Sequence, residues 1–132
     1  MQVRISVCKW EDISFIPQQY DTEHAQFAKR KKPEIWFKVD TDVSKNYAQI
    51  IGTGCLLILS KTRVRLSNVF VTPEYRGKGI AKKLVKARED YAKSHGYKII
   101  DTRTVKKYYE ALGYKVIKDY KVGGSWLEKV IG

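Results

Sequence analysis

The passage that most constrains this chain runs from Asn68 to Ala81, Asn-Val-Phe-Val-Thr-Pro-Glu-Tyr-Arg-Gly-Lys-Gly-Ile-Ala. Upstream of it residues 63–71 alternate, and the period of two places Val64, Leu66, Asn68 and Phe70 on one face of a strand. Downstream, Ile80, Leu84, Ala87 and Tyr91 recur at helical spacing, so a helix is predicted from Gly79 to Ser94, stopped by Gly96. A strand that turns at Thr72-Pro73 and passes through two glycines into a helix calls for a mixed α/β layer architecture. The same arrangement predicts an anion site. A helix start leaves about four N–H groups without partners at the positive end of the dipole, and Gly77 and Gly79 let a phosphate approach the backbone where a side chain would collide.

The remaining segments place that passage in one domain, 1–132, with no visible boundary, internal repeat or low-complexity tract. Residues 2–10 alternate as a strand with Val3, Ile5 and Val7 on one face. Residues 22–31 read as a helix whose basic end, Lys29 to Lys32, complements the helix dipole ahead of Pro33. Ile35–Val39, Gln49–Leu59 and Arg63–Val71 are the next strands; Gly52 and Gly54 mark a bulge or bend, and the short Ser60-Lys61-Thr62 link predicts an antiparallel hairpin. After the long helix come a short strand, Lys98–Asp101, and a second helix marked by Val105, Tyr108 and Leu112 and ended by Gly113. Strands Tyr114–Val122 and Ser125–Val130 join across Gly123-Gly124. The order is β-α-β-β-β-α-β-α-β-β.

No apolar run approaches the roughly 20 residues of a membrane span, and the N-terminus alternates like a strand, so a cytoplasmic placement without membrane contact is expected. Cys8 and Cys55 each sit among apolar strand residues; two lone thiols provide neither a disulfide framework nor a metal quartet, and no metal site is expected. Charge is more informative. Residues 1–60 hold eight Lys/Arg against seven Asp/Glu, a net of +1, whereas residues 61–132 hold eighteen against seven, a net of +11. This basic half predicts an anionic partner.

The full string resembles the acyl-CoA-binding signature of the GNAT superfamily of N-acetyltransferases: Arg or Gln, two residues, Gly, one residue, then Gly or Ala, filled here by Arg76, Gly79 and Ala81. A second segment, Tyr108-Tyr-Glu-Ala-Leu-Gly-Tyr114, is similar to the family's aromatic-Tyr-Glu segment on the short helix after the fifth strand. The resemblance covers residues 48–120 by motif and element order. It implies a mostly antiparallel mixed sheet flanked by helices, with acyl-CoA at a splay between central strands. It implies acetyl-CoA as co-substrate, pantetheine contacts from Phe70 and Val71, and a phosphate cradle of Arg76, Gly77, Lys78, Gly79, Ile80 and Ala81.

The resemblance also makes Tyr109 the group that protonates the departing thiolate, with Tyr108 left to the core because it shares a face with Leu112. A phenol near pKa 10 giving its proton to a thiolate near 8.5 is uphill by roughly 2 kcal/mol. An attacking amine near pKa 10.4 costs about 4.6 kcal/mol to deprotonate at pH 7. Some family members carry a Glu on the central strand as base; that position holds Arg65 here, and no base is assigned among Glu74, Asp101, Glu110 and His95, the last of which suits a helix cap. Ser67 or a water chain from backbone carbonyls could serve. The expected activity is transfer of an acetyl or short acyl group to a primary amine, on an acceptor that is anionic or associated with nucleic acid. The competing classes are a nucleic-acid-binding module and a CoA sensor that keep the fold without turnover.

Overall fold

The computed structural model describes residues 2–13, 33–41, 49–104 and 106–132. In chain order the elements are β1 (Val3–Cys8), α1 (Trp10–Ile13), β2 (Glu34–Thr41), β3 (Gln49–Ile58), β4 (Arg63–Val71), a 3₁₀ turn (Pro73–Tyr75), α2 (Ile80–Ser94), β5 (Ile99–Thr104), α3 (Lys106–Glu110), β6 (Lys115–Asp119) and β7 (Ser125–Val130). The helix expected over 22–31, with its basic end at Lys29 to Lys32, falls outside the described residues, as does Val105. The seven strands of the described residues join one sheet in the order β1-β2-β3-β4-β5-β7-β6. Every pairing is antiparallel except β4 with β5. That parallel junction follows from the α2 crossover, since parallel neighbours need a long connection. Among the described residues no helix is long and apolar enough to cross a membrane.

The parallel ladder is short. Only Arg63, Val64 and Arg65 pair with Ile99, Ile100 and Asp101; beyond that point β4 and β5 separate. The cause lies on the other side of β4. Thr53 pairs with Phe70 and Cys55 with Ser67, so Asn68 and Val69 together oppose the single residue Gly54. This is a β-bulge, and Asn68 takes the left-handed conformation at φ 51° that an asparagine tolerates. The expected alternation along this strand therefore holds through Leu66 and fails at Asn68: Val69 is exposed, while Phe70 and Val71 are both buried. Gly54, read as a bulge or bend, is the partner that accommodates it.

One face of the sheet is covered by α2, whose Leu84 and Val85 pack with Val39, Ile51, Leu56 and Val64. The buried face of α2 is Ile80, Leu84, Val85, Arg88 and Ala92, and the expected members Ala87 and Tyr91 are only half-buried. The stripe is rotated because position 88, one turn beyond Leu84, belongs to it although its residue is charged. Gly96 ends the helix at φ 87°, with the Tyr97 N–H donating to Ala92 O. On the opposite face Ile13, Trp36, Cys55 and Leu57 form a second cluster. Cys55 is buried and Cys8 half-buried, neither in a disulfide, and burial pushes the Cys8 thiol up to about 11. β1 is an edge strand: Val3 and Ile5 reach the core, but Val7 stays exposed.

The C-terminal elements are tied to α2 through Glu89. Tyr114 donates its hydroxyl to Glu89 Oε2 at 2.7 Å, and Lys129 Nζ reaches the same carboxylate at 3.3 Å and Leu112 O at 3.1 Å. Tyr114→Phe removes a hydrogen bond to a charged acceptor and should lower unfolding stability by about 1–3 kcal/mol in urea titrations. A loss within error of zero would mean that this contact does not anchor the C-terminal strands.

Candidate active site

The predicted phosphate cradle is a turn whose geometry follows from its residues. Pro73 sets the backbone for a 3₁₀ turn, closed by the Tyr75 N–H donating to Thr72 O at 2.9 Å. Gly77 and Gly79 sit at φ 77° and 81°, the left-handed region, and Gly79 is the N-cap of α2. That helix start has no side-chain cap and no acidic residue in its first turn. Its first backbone bond is Lys83 N–H to Gly79 O, so the N–H groups of Ile80, Ala81 and Lys82 have no partner within the helix. A Cβ on Gly77 or Gly79 would meet nothing within 4 Å, so glycine is required by the backbone conformation and by close approach from outside, not by packing. Arg76 closes the turn onto the strand: its Nε donates to Val71 O at 2.8 Å and its guanidinium lies 5.6 Å from the Phe70 ring centre.

A cavity of about 510 Å³ rises from this turn. Phe70, Val71, Arg76, Gly77, Gly79, Ile80 and Ala81 line it, and Lys78 belongs to the same turn without lining it. A second cavity of about 250 Å³ fills the gap where β4 and β5 separate, with Ser67, Arg88, Thr102, Arg103 and Tyr109 among its walls. Val69 lines both, and the consecutive Tyr108 and Tyr109 line one each, so the two lie end to end along β4. The expected division between those tyrosines is reversed in one respect: Tyr109 is the buried one and Tyr108 is 43% exposed. The helix is too short to bury both faces, and Tyr109 packs edge-on against Tyr114 with ring centres 5.3 Å apart. Burial raises the Tyr109 phenol above its ordinary value, partly offset by the charge of Arg88 and by a hydrogen bond with Thr102. The phenol is therefore protonated throughout the neutral range.

The Acetyltransferase (GNAT) family model matches residues 4–114. The chain belongs to the GNAT acetyltransferase family. Its fold is shared by solved structures of low sequence identity. The ribosomal-protein-S18-alanine N-acetyltransferase of Escherichia coli is 14% identical with a TM-score of 0.73, covering 99% of this chain and 95% of that one. An aminoglycoside 6'-N-acetyltransferase complexed with coenzyme A is 15% identical with a TM-score of 0.72, covering 98% and 97%. A spermidine/spermine N-acetyltransferase from Vibrio cholerae is 17% identical with a TM-score of 0.71, covering 98% and 92%. No curated protein sequence matches the chain. GNAT membership makes this an acyl-CoA-dependent acetyltransferase with acetyl-CoA as co-substrate.

Arg65 is the residue that the sequence resemblance set at the strand position where some members carry a glutamate. It is bound to Asp101, Nε to Oδ1 at 2.6 Å, while Arg63 Nη1 reaches Asp101 Oδ2 at 2.9 Å and Arg63 Nη2 reaches Glu128 at 3.1 Å. Asp101 is wholly buried between two guanidinium groups, an arrangement suited to clamping β4 to β5. His95 caps α2, with Nδ1 2.8 Å from Tyr91 O and its ring stacked on Tyr91. Glu74 and Glu110 are exposed, and among the described residues no carboxylate lines the splay cavity. Ser67 does line it. The residue that sequence reasoning missed is Arg88, whose signal was its spacing of eight from Ile80 and four from Leu84 on the buried stripe.

Gly79→Val would force a β-branched residue to φ 81° and set a side chain over the helix start. Affinity for CoA should fall at least tenfold by calorimetry, and stability by about 1–2 kcal/mol. Unchanged affinity would remove the turn from the binding site.

Proposed function

We propose that this GNAT protein transfers an acetyl or other short acyl group from acyl-CoA to a primary amine by direct attack. Residues 76–81 hold the phosphates, Phe70 and Val71 bind the pantetheine arm through their backbone, and Tyr109 is the proton donor. The observation that carries the reading is the burial of Tyr109 in the splay cavity, end to end with the cavity above the glycine turn. Bound acetyl-CoA supplies an electrophilic thioester carbonyl. The amine nitrogen bonds to that carbon, the C–S bond breaks with its electron pair on sulfur, and the Tyr109 hydroxyl proton goes to the sulfur. The proton lost by the amine passes through Ser67 or water to solvent.

The acceptor in this reading carries negative charge. The C-terminal half has a net +11, and on the outer part of the sheet the exposed Arg103 lies 5.7 Å from the Tyr120 ring centre and 6.0 Å from that of Trp126. A cation among aromatic rings suits a planar or phosphorylated anionic group. The basic half also helps to hold the acceptor amine unprotonated.

Incubation with isotope-labelled acetyl-CoA and cell extract, separated into small-molecule, protein and nucleic-acid pools, tests the transfer directly. Label in one pool names the acceptor class; CoA binding with no label in any pool would make the chain a CoA sensor. Tyr109→Phe should lower kcat on the order of 10²-fold with acetyl-CoA affinity unchanged, because only the phenolic proton is removed. Unchanged turnover would place the acid elsewhere.

A further inference from the structure

Arg88 is a cation buried on the inner face of α2 without a counter-ion among the described residues. It is 1% exposed, and its hydrogen bonds all go to neutral carbonyls. Nε donates to Leu84 O at 3.1 Å, and Nη1 to Cys55 O at 2.9 Å and Ser67 O at 3.2 Å. Cys55 and Ser67 are the register pair immediately beside the β3–β4 bulge, so this one nitrogen bridges both strands where the ladder is interrupted. Gly54 provides the space: a Cβ there would lie 3.3 Å from the guanidinium carbon. The remaining nitrogen, Nη2, is buried and has no partner among the described residues, although Arg88 is a wall of the splay cavity. The groups that bear on it electrically are Tyr109, Tyr114, Cys55 and Tyr108, three phenols and a thiol, with no carboxylate among them.

A guanidinium stays protonated in proteins, so burial leaves it charged, at a large cost that neutral carbonyls offset only in part. An apolar residue on the ridge of Ile80, Leu84 and Ala92 would avoid that cost. A fixed charge in the wall of a reaction cavity, its guanidinium pinned through Nε and Nη1, is preorganised to stabilise an anion that forms there.

We propose that Arg88 is the anion-stabilising residue of the splay, its fixed guanidinium charge in the cavity wall favouring the thiolate form of the acyl donor's sulfur. The inference rests on the acyl-CoA reading above. As the amine nitrogen bonds to the acyl carbon and the C–S pair passes to sulfur, the fixed charge of Arg88 stabilises that pair. Tyr109 then returns a proton to the sulfur. A phenol made reluctant by burial is a poor match for a departure that waits on proton transfer; a cation beside the sulfur lets the bond break before the proton arrives.

The test compares the dissociation constants of CoA and acetyl-CoA by calorimetry from pH 6 to 9, using wild type, Arg88→Met and Arg88→Lys. Only CoA has a thiol to ionise, so groups that affect both ligands cancel in the ratio. If Arg88 favours the thiolate, the bound thiol titrates below the free one. CoA should then tighten relative to acetyl-CoA as pH rises between those two values, by up to about tenfold per pH unit. Arg88→Met should flatten the ratio and Arg88→Lys should restore part of the slope. Should the methionine variant fail to fold, Arg88→Gln keeps a donor for the bulge carbonyls without the charge, and carries the same expectation. A flat ratio in wild type, or an unchanged slope in the uncharged variants, overturns the role of Arg88 while leaving acyl-CoA binding intact. Failure of both ligands to bind overturns the acyl-CoA reading itself and the proposal with it.

Discussion

β4 and β5 pair in parallel from Arg63 to Arg65 and no further, and Asp101, buried between the guanidinium groups of Arg63 and Arg65, fastens the end of that ladder. A parallel pair left to itself would continue, closing the middle of the sheet. Here the extra residue at Asn68 turns β4 away while the ion cluster keeps the strands together below. The gap is thus a hinge with a clasp at one end. The backbone of β4 beyond the clasp lacks β5 as a ladder partner, and Val69 faces both cavities. A buried carboxylate with two arginines gains little net stability over an apolar contact. Its value in this position is geometric, since it fixes where the separation begins.

The charges follow the same axis. At one end an uncapped helix start and Arg76 surround the glycine turn; at the other Arg88 lies beneath the bulge. Between them the walls include Val69, Phe70 and the two tyrosines of α3, with Ser67 and Thr102 on the splay side. Fixed positive charge at both ends of the groove suits a long ligand with anionic phosphates at one end and a sulfur that becomes anionic at the other. The acid-base groups conspicuous in the sequence sit elsewhere: Asp101 in its clamp, His95 at the end of α2, Glu74 and Glu110 in solvent.

The order of strands and helices was legible because hydrophobic period and turn chemistry are local properties. The glycine turn was legible for the same reason, since Thr72-Pro73, Gly77 and Gly79 act within a few residues of each other. What the sequence concealed arises across strands. The bulge depends on Gly54 facing Asn68 and Val69, which no periodicity within β4 records, and so Asn68 and Phe70 were expected on the same face. Tyr108 and Tyr109 are neighbours on a five-residue helix, and which of them is buried is settled by Tyr114 and the sheet beneath. Arg88 was passed over because a charged residue on a helix is ordinarily a surface residue. The stripe on which it lies was visible, and the space for its guanidinium is made by a glycine 34 positions earlier.

The bare start of α2 links ligand supply to the durability of the fold. An acidic first turn or a serine cap would satisfy that helix end at all times; on the proposed reading of residues 76–81 as the phosphate cradle, that stabilisation is left to the ligand. Anything that binds only the folded chain shifts the folding equilibrium by mass action, about 2.7 kcal/mol when free ligand stands at a hundred times its dissociation constant. For a domain of this size such a shift is a sizeable part of total stability. On that reading, the lifetime of the protein against unfolding and proteolysis becomes a readout of how much acyl-CoA surrounds it.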